Sequence, residues 1–343
     1  MSKFGGNLQT ILDVLIGSKR TERLFNILVI NPALFEGSGP VSRATLAQAL
    51  NMLLFEDLVE RVPAAKIYVD QCLRNGKTIL HDHGAVRTIA MAGMGNLPAG
   101  QESITRILSP LGYVLNGVYP LERLRMTGRS YAQVDFPEEI AQFFISEVHP
   151  ERFSAEFQAA LRRVVSTSTD PLTHKAHVLL EELESSRSLS QDKAVTLLPV
   201  LVSCFGRQHG EIALEDYEQL LLESSEAAWI ATEGNAFNHV TDRVEDVDQL
   251  AIEQKALGQP MKAAVETSQS GRVRQTAFRA ALVPRTFRAP NGGYVEKEVP
   301  GSFLEFITRL PLPEDQSGKS RLDLSFDSSN AQAIFKMTST SKS

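Results

Sequence analysis

Two histidines in this 343-residue chain stand in matching settings. His83 opens His83-Gly84-Ala85-Val86-Arg87 and His239 opens His239-Val240-Thr241-Asp242-Arg243, both reading HxxxR. A glutamate follows each at nearly the same distance: Glu147 comes 64 residues after His83, in FFISEV, and Glu305 comes 66 after His239, in SFLEFI. Neutral imidazole and carboxylate together suit divalent Fe, Mn, Ni or Zn, and two histidines with one carboxylate leave three positions open for substrate and O2. An ion held by all four side chains would suit isomerase chemistry, and an ion held by three would suit an oxygenase. The residues themselves leave that choice open.

On a strand, alternate side chains share a face. His81, His83, Ala85 and Arg87 are therefore expected to point one way, with Asp82, Gly84 and Val86 pointing the other. Arg87 would then line the same cavity as His83, where a guanidinium can clamp a substrate carboxylate bidentately. Arg243 repeats the placing in the second half and is a second candidate for substrate binding. A strand histidine is more often a core or surface residue than a ligand, but the repeat raises the case for His83 and His239. His81 either competes with His83 or stands behind it, and Glu147 is the candidate fourth ligand. His174 and His177, spaced i,i+3, read as a solvated helix face. His149 and His209 lie in apparent loops.

The elements that must position these groups also occur twice. Short β-like runs over 78–90, 112–119, 132–135 and 143–148, with a helix over 102–111, give strand, helix, then three strands. The order returns after Trp229: a run over 237–244, a helix over 247–256, then runs near 261–268, 275–283, 294–299 and 303–310. Residues 7–75 read as helical, with capping-box spacing at Thr45-Leu46-Ala47-Gln48, and residues 150–226 read as an inserted helical layer with Ser154 and Ser190 as N-caps. The expected architecture is α+β. It comprises a helical layer (1–76), a βαβββ module (77–150), a helical insertion (151–228), a second βαβββ module (229–312) and a tail (313–343), the two modules curling one mixed sheet around the metal.

Bulk properties narrow the function. At 43% hydrophobic content the chain can bury a large core without staples. A net charge of −6 offers no basic field for nucleic acid. Cys72 and Cys204 are too few and too far apart for a disulfide framework or metal knuckle. The opening MSKFGGNLQ lacks a signal-peptide pattern and no apolar run is long enough to span a bilayer, so a soluble, cytoplasmic protein is expected. A homodimer is compatible with all of this.

The HGAVR stretch at 83–87, NHVTDRV at 238–244 and FLEFITR at 303–309 resemble the 2-oxoadipate dioxygenase/decarboxylase family, within the vicinal oxygen chelate (glyoxalase-like) superfamily. The order of elements extends that resemblance over most of the chain. The resemblance implies metal ligation by His83, His239 and Glu305, substrate binding by Arg87, and Glu147 outside the ligand set. It also implies Fe(II), O2 and oxidative decarboxylation of 2-oxoadipate to 2-hydroxyglutarate with release of CO2, an activity of lysine catabolism. Candidate holders for a distal carboxylate are Arg243, Arg279, Arg285 and Arg288, and residues 325–336 are similar to the closing helix of 4-hydroxyphenylpyruvate dioxygenase. A glyoxalase-like isomerase or lyase using Ni or Zn, and a non-catalytic binding protein of the same fold, are the alternatives.

Overall fold

The structure is a computed structural model that describes residues 5–35, 39–314 and 321–328. Its centre is an eight-stranded mixed sheet curled into a half-barrel and built from two βαβββ modules. The first comprises β1 (His81–Ile89), a helix (Glu102–Leu108), β2 (Tyr113–Leu121), β3 (Met126–Gln133) and β4 (Gln142–Val148). The second comprises β5 (His239–Arg243), a helix (Val247–Ala256), β6 (Glu266–Thr267), β7 (Val273–Ala277) and, after a separate hairpin of β8 (Leu282–Arg288) and β9 (Tyr294–Pro300), β10 (Phe303–Arg309). Across the sheet the strands run β2-β3-β4-β1-β5-β10-β7-β6.

That order is symmetric about the β1–β5 pair. The opening strand of each module lies parallel to its closing strand, β1 to β4 and β5 to β10, and the two opening strands meet antiparallel. Both histidines therefore reach the middle of the sheet. A parallel pair must be joined by a crossover; a helix and two further sheet strands supply it in each module, with the β8–β9 hairpin added in the second.

Alternation along the central strands divides their side chains. Val86, Val240, Leu304 and Phe306 join the main apolar core, together with Leu50, Leu54 and Leu58 of the long helix Arg43–Arg61. Burying each such side chain contributes about 1.5–3 kcal/mol. The opposite face carries Ala85, Arg87, Phe144, His239 and Glu305. Gly84 is needed on the core face because a Cβ there would stand 2.3 Å from Cζ of Phe237. Helices Ala155–Val165, Leu214–Glu223 and Ser225–Glu233, the last carrying Trp229, pack with the hairpin residues Phe287 and Val299 into a second core, whereas helices His174–Ser186 and Gln191–Ser203 join the main one.

Several local expectations change. The third strand of the first module begins at Met126 and ends at Gln133 rather than covering 132–135, because it pairs along its full length with β2 and from Met126 to Tyr131 with β4. The single run expected over 275–283 divides between β7 and the hairpin. The cap of the long helix is Ser42, whose side chain accepts from the Thr45 N–H, so the helix starts before the Thr45 box. Ser154 caps its helix through the Phe157 N–H, whereas Ser190 holds the N-cap position without a side-chain bond.

Candidate metal centre

Three strands deliver three donors to one point. His83 comes from β1, His239 from the start of β5 and Glu305 from β10, all buried. Glu305 Oε2 lies 3.2 Å from His83 Nε2 and 3.2 Å from His239 Nε2. With ligand bonds of about 2.1 Å, two donors at right angles around an ion stand about 3.0 Å apart. Among the described residues this is the group of His, Cys, Asp and Glu whose donor atoms lie within 4.8 Å of one another.

The neighbours of the two rings fix which nitrogen would face an ion held there. Asp82 Oδ1 lies 2.8 Å from His83 Nδ1, and a carboxylate only accepts, so Nδ1 carries the proton and Nε2 presents a lone pair. Asn238 Oδ1 lies 3.2 Å from His239 Nδ1 and does the same there. Two imidazole lone pairs then face one buried carboxylate oxygen, an arrangement that a shared cation relieves. Burial opposes charge on His83, but the Asp82 and Glu305 carboxylates outweigh it and raise its pKa, so a second proton on Nε2 is the cation that a metal would displace; burial lowers the pKa of His239. Burial would raise the Glu305 pKa, yet His239 and His83 hold it well below the usual carboxylate range. Thr241 Oγ1 also donates to Glu305 Oε2 at 2.7 Å. These donors fit a divalent metal.

The alternation expected on the first strand breaks at its start. His81 pairs with Asp242 and His83 with Thr241, so Asp82 is an extra residue in a β-bulge. The bulge turns His81 to the helical side, against Phe55 with ring centroids 5.5 Å apart, and brings Asp82 beneath the His83 ring. His81 is thus not behind His83; Asp82 is. Burial lowers the His81 pKa to about 3. Asp82, which burial alone would make hard to ionise, is held charged by Arg309 and Arg243.

Register also places the other candidates. Glu305 stands opposite Thr241, two residues after His239, and the same position in the first module, opposite Ala85, is Phe144. Glu147 lies three residues farther, an odd step, and faces away from the site. It accepts from the Gln101 N–H at 2.7 Å and pairs with Arg129 at 3.0 Å. Arg243 points to Asp82 at 2.7 Å and to the Glu138 carbonyl rather than into the cavity. Arg285 pairs with Glu233 at 2.6 Å, and Arg279 and Arg288 are exposed. His174 and His177 are exposed on a helix, while His149 bonds Thr127 and His209 bonds Gly210.

Arg87 does reach the cavity, which it lines with His83, His239, Glu305, Phe144, Asn238 and Phe326, among others. It donates to Asn238 Oδ1 at 3.4 Å and lies over the Trp229 ring at 4.9 Å, and burial lowers its pKa to about 10. Sequence reading missed Asp82, Asn238 and Arg309. A signal existed for the first two, since a side chain able to accept a proton precedes each repeated histidine, as Asp82-His83 and Asn238-His239. Of the tail expected over 325–336, residues 325–328 are described, with Phe326 and Asp327 lining the cavity, and 329–336 fall outside the described residues.

The chain is similar to known proteins in sequence and fold. A family profile described as 2-oxoadipate dioxygenase/decarboxylase matches residues 52–338. The chloroplastic 2-oxoadipate dioxygenase/decarboxylase of Arabidopsis thaliana is 24% identical over 292 residues, which cover 76% of this chain and 68% of that one. Among solved structures, a protein assigned to the glyoxalase superfamily, from Ralstonia eutropha JMP134, superposes with a TM-score of 0.88 at 52% identity, covering 94% of this chain and 98% of that one. The hydroxyglutarate synthase of Oryza sativa, solved in complex with 2-oxoadipate, gives a TM-score of 0.66 at 19% identity over 87% of this chain and 93% of that one, a likeness of fold.

Proposed function

The chain belongs to the 2-oxoadipate dioxygenase/decarboxylase family, and on that premise we propose that it holds one Fe(II) on His83, His239 and Glu305 and converts 2-oxoadipate and O2 to 2-hydroxyglutarate and CO2. The observation that carries this reading is the three-donor set. Phe144 occupies the place where the first module would supply a fourth ligand. Three protein donors leave room on the ion for both substrate and O2, which favours oxygenase chemistry over a four-ligand isomerase. Bound iron would supply a Lewis-acid site for the 2-oxo acid and the electrons that activate O2.

The protein's own side chains do the rest. Arg87 binds and orients the substrate anion. Four residues along a strand separate the His83 and Arg87 backbones by about 13 Å, so an acid with a carboxylate at each end can be held at the metal by one and at Arg87 by the other. Burial weakens hydration of the guanidinium and strengthens its pull on a carboxylate. With a pKa of about 10 it remains charged at neutral pH. Asp82 and Asn238 keep the ligand tautomers, and Phe144 and Phe326 exclude water from the reacting centre.

No helix among the described residues is long and apolar enough to cross a membrane. The test is anaerobic reconstitution with Fe(II), then addition of 2-oxoadipate in air. Wild type should consume O2 and release CO2, and His83→Ala, His239→Ala and Glu305→Ala should each abolish both. Activity surviving in any of the three would end the proposed ligand set.

A further inference from the structure

We infer that Arg309 is a positioning residue that ties the orientation of His83 to the docking of residues 321–328 across the cavity, so that covering the site and aiming its ligand are one event. The inference rests on the metal reading above. Arg309 and Asp82 have side chains with no exposure at all. The guanidinium divides its donors between two tasks. Nε and Nη2 bond Asp82 at 2.9–3.1 Å, and Nη1 donates to the carbonyl oxygens of Asp323 at 2.9 Å and Ser325 at 2.6 Å.

Both ends of this relay land on the same imidazole. Through Asp82 it reaches His83 Nδ1. Through the strap it reaches Phe326, whose ring lies 4.8 Å under the Arg309 guanidinium and meets the His83 ring edge-on with centroids 4.8 Å apart. Gln142, the register partner of His83, donates to the Leu324 carbonyl at 3.2 Å, and Tyr119 accepts from the Phe326 N–H at 3.1 Å. Charge balance alone does not require Arg309, because Arg243 already pairs with Asp82 at 2.7 Å. What Arg309 adds is the link to the strap. When the strap leaves, its guanidinium loses two acceptors and the aromatic ring beneath it, and His83 loses both a packed neighbour and the fixed position of its carboxylate. By linkage, a metal that needs His83 in place must in turn favour the docked strap.

The experiment is hydrogen exchange on the full chain, metal-free and loaded with Co(II), reading the amides of residues 322–326. Wild type should show at least about 10-fold slower strap exchange with Co(II), a coupling within the usual range between sites. Arg309→Lys, whose single ammonium cannot serve Asp82 and two carbonyls together, should lose that slowing, whereas Arg243→Lys should keep it. Equal strap exchange with and without Co(II) in wild type, or equal slowing in Arg309→Lys, would overturn the inference. If Arg309→Lys does not fold, Phe326→Ala decides: it should weaken Co(II) binding and shift the visible Co(II) bands, and unchanged affinity and bands would refute the link. Failure of wild type to take up Co(II) at all would instead overturn the metal reading.

Discussion

Glu305 and Phe144 occupy equivalent places in the two halves of the sheet, each opposite the residue two positions after its module's histidine. One half contributes a carboxylate to the centre and the other a phenyl ring. The duplicated fold thus yields an asymmetric site, with two histidines from the repeat and one glutamate from a single copy.

That asymmetry predicts the behaviour of the two glutamates. Glu305→Gln should weaken Fe(II) or Zn(II) binding by about 10-fold or more, the scale seen when a metal site loses a supporting group. Glu147→Gln should leave metal content unchanged, since its partners are Arg129 and the Gln101 N–H. Metal analysis after dialysis against a graded chelator measures both.

Phe144→Glu should restore a fourth donor. The expected result is retained or tighter metal binding with slower O2 consumption, because a position needed by substrate or O2 is taken. Titration calorimetry and an oxygen electrode read the two effects. Unchanged O2 consumption with a fourth carboxylate in place would count against the three-ligand account.

Arg87→Lys should raise the KM for 2-oxoadipate by roughly 10–100-fold, corresponding to about 1.5–3 kcal/mol for a hydrogen bond to a charged group. An ammonium replaces a two-pronged donor with a point charge. Steady-state kinetics at fixed, saturating O2 provides the measurement.

Asp242 provides a pH-dependent signature away from the cavity. Burial pushes its carboxyl up to about 7, against hydrogen bonds from Tyr68 and the Leu80 N–H that favour ionisation. A carboxyl raised in the folded state binds its proton more tightly there than in the unfolded chain. Its contribution is therefore fully present below about pH 4 and is lost as pH rises toward 7, by up to ~4 kcal/mol. Asp242→Asn should flatten the fall in stability across that window, as followed by urea unfolding at a series of pH values.

Gly84→Ala should destabilise the fold by about 1–3 kcal/mol, the usual cost of overpacking a core. The added methyl meets the Phe237 ring, itself wedged between Phe143 and Phe205. Thermal unfolding of the metal-free protein isolates this cost.

The duplication was legible because periodicity and the HxxxR repeat survive in both halves, and the helix over 247–256 coincides with Val247–Ala256. The faces of individual residues were less legible. A bulge is an extra residue that leaves no mark in apolar alternation, so Asp82 and His81 exchanged faces relative to simple counting. The pairing of Glu147 with Glu305 by sequence distance failed for a related reason. Connections between the strands differ in length, so only ladder register shows that Phe144 is the counterpart of Glu305. Arg309 lies 227 residues from Asp82, and no local pattern joins them.

The central claim is a single Fe(II) on three protein ligands carrying out an O2-dependent decarboxylation, and simultaneous recording of O2 uptake and CO2 release tests it most directly. Protein loaded with one equivalent of Fe(II) and given 2-oxoadipate should consume one O2 for each CO2 released and form 2-hydroxyglutarate, with no CO2 under anoxia. Undiminished CO2 release or product formation without O2 would contradict the account.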